Sequence, residues 1–226
     1  MTEPRKSPAF LFDLDGTLVD SVYQHVVAWR EALRESGIDL SVWRIHRRIG
    51  MSGGLLVQAL LSETGVDLSP DEVEKLQARH AELYAEQIQT IAALPGASEL
   101  LAHLTRTGVP WIIATSGRSR GARPMLAKLD LPDDTPMITR DEVRWAKPDP
   151  DLFLSAARRL GVDPVGAMVV GDSIWDILAA RRAGSIGVGL LSGGYGREEL
   201  ERAGAFRVYE DPATMLRHLH ELGVRT

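Results

Sequence analysis

Short apolar runs alternate with amphipathic stretches along most of this chain. The runs are too short for helices and predict strands at residues 8–14, 111–115, 137–138, 167–170, 186–190 and near 207–209. Apolar residues at helical spacing predict helices at about 97–107, 120–129, 150–160 and 174–183, and a last helix capped by Asp211-Pro212. Strands that alternate with helices of this length predict βαβ units. We therefore expect a Rossmann-like α/β fold, with a parallel sheet and helices on both of its faces.

The segment between the first two strands breaks this alternation, because its apolar residues keep helical spacing throughout. The candidate N-caps of its helices are Ser21, Ser41, Ser52 and Ser69. The last of these is followed by Pro70 and Glu72, a capping box that predicts a long helix to about Ile91. Such a run is too long for a simple crossover. We expect an all-helical cap domain over 20–92, inserted into a core of 1–19 and 93–226 through linkers near 17–21 and 92–96.

Composition narrows the class of protein. The 226 residues are 44% hydrophobic and 25% charged, which is ordinary for a globular protein. The chain has no cysteine, which excludes disulfides and thiolate metal sites. No apolar run approaches the ~18 residues that span a bilayer, and the N-terminus lacks the apolar stretch of a signal peptide, so a cytoplasmic location is expected. A formal net charge of -5 argues against a nucleic-acid partner.

Polar residues follow several of the predicted strands. Asp13 and Asp15 follow the first strand, and Thr115 and Ser116 end the second. The later groups are Lys147 before the 150–160 helix, Asp172 after the 167–170 strand, and Asp176 four residues beyond. In an open α/β sheet, ligands bind beyond the carboxyl ends of the strands. We therefore expect these side chains to meet at one edge of the sheet.

The residue types at this edge suit phosphate chemistry with a metal ion. Crowded carboxylates raise one another's pKa unless a cation is present, and oxygen ligands without His or Cys suit Mg²⁺. Lys147 and the Thr115 hydroxyl suit a phosphate group. Asp13 and Asp15 are two residues apart, so both side chains point to the same side of an extended strand. Asp13 would act as the nucleophile and Asp15 as the general acid and base.

Each residue alone has a simpler interpretation. An Asp pair at a strand end is often a solvated turn, Lys147 is by itself an ordinary surface lysine, and Asp172 could merely cap the following helix. Their occurrence together, on successive strand ends, favours the catalytic interpretation.

The stretch DLDGTLVDS, a strand ending in Thr-Ser, Lys-Pro, and GDSxxD occur here in the order typical of the haloacid dehalogenase superfamily. The chain resembles the branch with a helical cap between the first two motifs (subclass I). The resemblance implies a Mg²⁺-dependent phosphoric monoester hydrolase that forms a phospho-aspartate. It implies Asp13 as nucleophile, Asp15 as acid and base, and Thr115 and Lys147 as phosphate-binding residues. It implies metal ligation by Asp13, Asp172, Asp176 and the main-chain carbonyl of Asp15.

Within the superfamily, two branches are similar to this chain. His25 and Trp29 resemble the start of the cap in β-phosphoglucomutase-like proteins, but Gly171 stands where that branch usually has Glu. The stretch GGYGREEL at 193–200 resembles phosphoglycolate phosphatase-like proteins. A phosphatase of small phosphorylated metabolites is therefore favoured, with a sugar phosphomutase as the alternative. A phospho-accepting receiver domain is disfavoured, because receivers lack a helical insert.

Substrate contacts are expected from Ser116 and from three positions of the cap. His25 lies just inside the first cap helix, and Arg48 and Gly53 lie between two cap helices. The alternative for His25 is a core histidine, and for the other two a solvated basic turn. The physiological substrate and the oligomeric state do not follow from the sequence.

Overall fold

The computed structural model describes residues 8–224, which form one six-stranded parallel sheet and ten α-helices. The strands are β1 (Phe10–Phe12), β2 (Trp111–Ala114), β3 (Met137–Ile138), β4 (Met168–Gly171), β5 (Ile186–Leu190) and β6 (Ala205–Tyr209). Their order across the sheet is β3-β2-β1-β4-β5-β6. The chain order reverses between β1 and β4, which places the crevice for ligands beyond the carboxyl ends of these two strands.

Four helices lie between β1 and β2, namely α1 (Val22–Glu35), α2 (Val42–His46), α3 (Gly53–Thr64) and α4 (Pro70–Gln87). The others are α5 (Ala97–Arg106), α6 (Ser119–Ala122), α7 (Asp151–Leu160), α8 (Ile174–Ala183), α9 (Arg197–Ala203) and α10 (Pro212–Arg217). Short 3₁₀ segments cover 88–90, 123–129, 140–142, 191–193 and 219–222.

Helices cover both faces of the sheet, as the sequence predicts. Phe10 and Phe12 point to one face and pack in a cluster with α5 and the C-terminal helices. Leu11 points to the other face, where it packs with α7 and α8. This alternation is the period-two geometry of a strand, and burial on both faces explains why β1 and β4 are apolar throughout.

The helices between β1 and β2 have a hydrophobic cluster of their own. Val26, Trp29 and Leu33 of α1 form it with Leu56 and Leu60 of α3 and with residues of α2 and α4. This agrees with an inserted helical unit, and the exact division at residues 19 and 92 stays a prediction. Residues 1–7 and 225–226 of the expected core lie outside the described part of the chain. No helix within residues 8–224 combines the length and apolarity required to cross a membrane.

One helix was missed, one predicted helix is only partly α-helical, and three predicted N-caps are confirmed in position alone. Helix α9 was not predicted, because its charged sequence REELERA shows little apolar periodicity. The expected helix at 120–129 is one α-helical turn followed by a 3₁₀ segment, because Pro124 lacks the N–H that a continuous helix needs. Ser21, Ser41 and Ser52 occupy N-cap positions, but their side chains do not cap. The capping box at Ser69 is confirmed.

Candidate active site

Three of the sequence-predicted aspartates meet beyond the ends of β1 and β4. Asp13 continues β1, and its N–H donates to the Val170 carbonyl of β4 at 2.9 Å. Asp172 directly follows β4, and Asp176 lies in the first turn of α8. One oxygen from each of these buried carboxylates lies within 4.8 Å of the others. The adjacent strands and the helix that follows β4 therefore build one acidic centre.

Lys147 enters this centre from the loop before α7. Its side chain is fully buried, donates to Asp13, and places Nζ 2.7 Å from Asp176 Oδ1. Burial alone would lower the pKa of Lys147, but Asp13 and Asp176 raise it above its usual value. The ammonium group is therefore charged and compensates part of the negative charge of the centre.

The start of α8 orients Asp176. The Asp176 carboxylate accepts hydrogen bonds from the Ser173 N–H at 3.1 Å and from the Ser173 hydroxyl at 2.5 Å. These bonds form a capping box, in which Ser173 is the N-cap and Asp176 the third residue of the helix. The helix cap therefore uses Oδ2 and leaves Oδ1 turned toward Lys147.

Asp172 is held by a close fit to two glycines. Thr17 donates to its Oδ1 at 2.9 Å. A Cβ atom at Gly16 would lie 2.6 Å from Asp172 Oδ2, and a Cβ atom at Gly193 would overlap the same carboxylate. Any larger residue at these two positions would displace Asp172, so the glycines keep room for the carboxylate.

The three carboxylates of the centre carry more negative charge than Lys147 compensates, so a second cation would stabilise them. Burial raises the pKa of Asp13 to about 7. The negative charges of Asp176 and Asp15 also raise this pKa, whereas Lys147 lowers it. Burial and the charge of Asp176 also raise the pKa of Asp172 well above its usual value. Buried carboxylates of this kind are stabilised as anions by a hard divalent ion, and an all-oxygen donor set suits Mg²⁺. The residues present thus fit the expected metal.

Asp15 faces the helical segment rather than the acidic centre. Its Oδ1 accepts from the Ser21 hydroxyl at 2.6 Å and from the Tyr84 hydroxyl at 3.3 Å, and it lies 3.3 Å from His25 Nε2. Burial alone would raise the pKa of Asp15, but His25 and Ser21 hold it at about 2. Asp15 is therefore ionised in this arrangement. The Ser21 hydroxyl is turned toward Asp15 and makes no cap bond to α1.

Thr115 and Ser116 directly follow the neighbouring strand β2. Thr115 is buried, and its hydroxyl oxygen accepts from the Gly117 N–H at 2.9 Å. The Ser116 hydroxyl is buried without a hydrogen-bond partner in residues 8–224. A buried hydroxyl without a partner costs free energy, and a bound ligand with polar atoms would satisfy it.

The cap candidates lie in different surroundings. His25 contacts Asp15 directly. Arg48 forms an ion pair with Glu63 of α3, and Gly53 packs beside the Trp29 ring. The contacts of these last two residues are therefore with other parts of the helical segment.

One contact between the helical segment and the sheet domain was missed from the sequence. The main-chain carbonyl of Arg47 accepts from Trp175 Nε1 at 3.2 Å and from the Tyr195 hydroxyl at 2.9 Å. The Arg47 side chain also pairs with Glu199 and covers the Tyr195 ring. Trp175 directly precedes Asp176, so the segment docks beside the acidic centre. Because a main-chain carbonyl is the acceptor, no sequence signal marks this contact.

Comparison with known proteins identifies the family. The model of the haloacid dehalogenase-like hydrolases matches residues 8–184, a span that holds the acidic centre, Lys147 and the helical segment. The chain belongs to this family. A hydrolase from Pseudomonas syringae of known structure is 52% identical, with a TM-score of 0.93, and the match covers 96% of this chain and 99% of that one.

Curated relatives of this haloacid dehalogenase-like hydrolase are named as phosphatases. Hexitol phosphatase A of Escherichia coli (strain K12) is 35% identical over 177 residues, 77% of this chain and 79% of that protein. The phosphoglycolate phosphatase of Rhodospirillum rubrum is 32% identical over 214 residues, 92% of this chain and 88% of that protein. These matches confirm the resemblance inferred from the motifs.

Proposed function

We propose that the protein is a Mg²⁺-dependent phosphatase of small phosphorylated metabolites, of the sugar phosphate or phosphoglycolate type. The observation that carries the proposal is the buried centre of Asp13, Asp172 and Asp176 with Lys147. The nucleophile and its charge partners meet there at the crevice of the sheet. The relatives named above are phosphatases, which favours hydrolysis over isomerisation of a sugar phosphate.

In the first step, a carboxylate oxygen of Asp13 attacks phosphorus. A bond forms between that oxygen and phosphorus, the bond from phosphorus to the ester oxygen breaks, and Asp15 gives its proton to the departing oxygen. The product leaves as an alcohol and Asp13 becomes an aspartyl phosphate. This step needs Asp15 in its protonated form, which the negative charge of an arriving phosphate favours.

In the second step, water attacks the phosphorus of the aspartyl phosphate and gives a proton to Asp15. The bond between phosphorus and Asp13 breaks, its electron pair returns to the carboxylate, and inorganic phosphate is released. Asp15 starts this step ionised, the form that its contacts with His25 and Ser21 stabilise. The two steps therefore return both aspartates to their initial states.

Asp13, Asp172, Asp176 and the main-chain carbonyl of Asp15 would hold Mg²⁺, which offsets negative charge on the transferring phosphoryl group when it is bound. The phosphoryl oxygens would be bound by Lys147, Thr115 and Ser116. Lys147 would then donate to the substrate in place of its hydrogen bond to Asp13. The family's assignment and the buried, unpartnered Ser116 hydroxyl support these roles.

The helical segment 20–92 would act as the cap that closes over the site. The contact of Arg47 with Trp175 and Tyr195 supports this role, because it joins the segment to the sheet domain beside Asp176. Closure of such a cap excludes water from the reacting groups and selects the substrate. Arg48 and Gly53 are the cap positions we propose for substrate selection.

Phosphate release from a panel of esters tests the function. The panel holds hexitol phosphates, phosphoglycolate, and several hexose and pentose phosphates, each with and without Mg²⁺. We expect release that requires Mg²⁺ and that Asp13→Asn abolishes. Release that persists in Asp13→Asn would contradict the nucleophile. Isomerised sugar phosphate without net phosphate release would replace the phosphatase by a mutase.

A further inference from the structure

Four aromatic rings stack between α1 and α4 above Asp15. His25 and Trp29 come from α1, and His80 and Tyr84 come from α4. His25 lies on Tyr84 with ring centroids 3.8 Å apart and planes 4° apart, and Trp29 lies on His80 at 4.0 Å and 12°. Each pair of rings on one helix is four residues apart, so the rings of the two helices interleave.

Two histidines of this stack are linked edge to edge. His80 Nε2 lies 3.2 Å from His25 Nδ1, and His25 Nε2 lies 3.3 Å from Asp15 Oδ1. The three groups thus form a chain from α4 through α1 to the residue proposed as the acid and base. His80 makes no direct contact with Asp15 and acts on it through His25.

The chain of contacts determines where the protons lie. Asp15 Oδ1 lies 3.3 Å from His25 Nε2, and a carboxylate oxygen accepts hydrogen bonds, so His25 presents a proton at Nε2. In the neutral form of His25 the other nitrogen accepts, so Nδ1 of that form needs a donor. His80 Nε2 is the group placed to donate. Burial lowers the pKa of His80 well below its usual value, so His80 is a neutral ring that carries one such proton.

We propose that His80 is a positioning residue, whose Nε2–H holds His25 in the tautomer that donates to Asp15 and thereby orients the Asp15 carboxylate. The inference rests on the proposed function for its effect on catalysis, but the tautomer of His25 does not depend on that function. A histidine that orients the catalytic carboxylate places the proton-transfer oxygen where the leaving group and water need it.

The competing explanation is that His80 only fills space in the stack. Two substitutions separate the explanations. His80→Phe keeps a ring against Trp29 but removes the donor, whereas His80→Gln keeps an N–H near the position of Nε2 but removes the ring. The exposed His220 supplies the matched control, His220→Phe, away from the stack.

The first readout is the dependence of kcat/KM on the leaving group. An alkyl phosphate needs a proton on its departing oxygen, whereas p-nitrophenyl phosphate leaves with little help. We expect His80→Phe to lower kcat/KM for the best alkyl ester by about tenfold or more. With p-nitrophenyl phosphate the loss should stay within about twofold. His80→Gln and His220→Phe should stay near the wild type with both substrates.

The second readout is the tautomer of His25 itself, measured by long-range ¹H–¹⁵N correlation of the imidazole rings at about pH 8. We expect the Nε2–H tautomer in the wild type and in His80→Gln, and a mixture of tautomers in His80→Phe. A mixture in the wild type would overturn the inference, even for a protein without phosphatase activity.

The two proposals fail in different ways. Absence of Mg²⁺-dependent phosphate release in the wild type removes the proposed function, while the tautomer measurement still decides the role of His80. Normal catalysis by folded His80→Phe, with the His25 tautomer unchanged, removes the role of His80 and leaves the phosphatase intact. Equal losses in His80→Phe and His80→Gln with both substrates would assign His80 to packing alone.

Discussion

Lys147 Nζ lies 2.7 Å from Asp176 Oδ1, and both side chains are completely buried. The pair joins the loop before α7 to the first turn of α8. Through its second bond, to Asp13, Lys147 also reaches the end of β1. One buried cation thus connects three separate parts of the chain. Its removal would leave the negative charge of the carboxylates less compensated.

Replacement of Lys147 by methionine should destabilise the metal-free protein by about 3 kcal/mol, because removal of one partner leaves buried charges unpaired. Catalytic activity should also be lost. Urea denaturation at neutral pH measures the change, and Lys75→Met on the exposed face of α4 is the matched control. An unfolding free energy equal to that of the wild type would contradict the buried pairing.

Stability should depend on pH and Mg²⁺ together. The pKa of Asp13 rises from 3.8 to about 7 on folding, so between these values the folded state binds more protons than the unfolded state. The contribution of Asp13 to the unfolding free energy of the metal-free protein therefore falls as the pH rises through that window. Asp172 acts in the same direction.

Mg²⁺ binds the ionised carboxylates, so the increase in Tm that it produces should be larger at about pH 8 than at about pH 5. Thermal unfolding with and without Mg²⁺ at both pH values checks this. Asp172→Asn should reduce the increase at the higher pH. The same increase at both pH values would argue against a metal on these aspartates.

Gly193→Ala should impair the enzyme without a change in any polar group. The new methyl group would overlap the Asp172 carboxylate and push it from its place beside Thr17. We expect Mg²⁺ affinity to fall by about tenfold or more, as is usual when the support of a metal ligand is lost. Titration of Mg²⁺ against phosphate release measures it.

Gly121→Ala is the control for that substitution. A Cβ atom at Gly121 meets no neighbour within 4 Å, so we expect no change in Mg²⁺ affinity. If the two alanine variants bind Mg²⁺ equally well, the steric account of Gly193 is wrong.

The docking of the helical segment should depend on the donors to the Arg47 carbonyl. Trp175→Phe or Tyr195→Phe alone leaves one donor in place and should cost about 1 kcal/mol or less. The double variant leaves that carbonyl without either donor. We expect faster hydrogen exchange in residues 42–50 and a higher KM for the double variant.

Glu199→Gln tests whether the nearby ion pair matters instead. The Glu199 and Arg47 side chains are 40% and 30% exposed, and such pairs contribute about 1 kcal/mol or less. We expect Glu199→Gln to match the wild type in KM and in the hydrogen exchange of residues 42–50. A larger effect in Glu199→Gln than in the double variant would assign the docking to the ion pair.

The strand ends show how far local sequence predicts a site. Asp13, Asp172 and Asp176 could be grouped in advance, because the carboxyl ends of neighbouring parallel strands meet at one edge of a sheet. Lys147 could be assigned only by motif order, because it lies on a loop whose path local patterns do not specify. The roles of all four in catalysis stay predictions.

The surroundings of Asp15 could not be predicted in the same way. Tyr84 and His80 lie on α4, far along the chain, and the α4 pattern marks them only as residues on a partly buried face. Their contacts follow from the packing of α4 on α1. The amphipathic pattern of two helices does not determine the angle or the register at which they pack. Helix α9 was missed because it is short and mostly charged, and Leu200 is its one fully buried apolar residue.

The sequence by itself determined the α/β class, the helical insertion and the set of groups at the strand ends, because these depend on hydrophobic period and motif order. The tertiary structure alone decided that Asp15 faces His25 and Ser21, that Gly193 makes room for Asp172, and that Arg47 docks beside Trp175. Those relationships join residues distant in the chain through shape and hydrogen-bond direction. The local pattern of polar and apolar residues specifies neither the shape of the packed surfaces nor the direction of these hydrogen bonds.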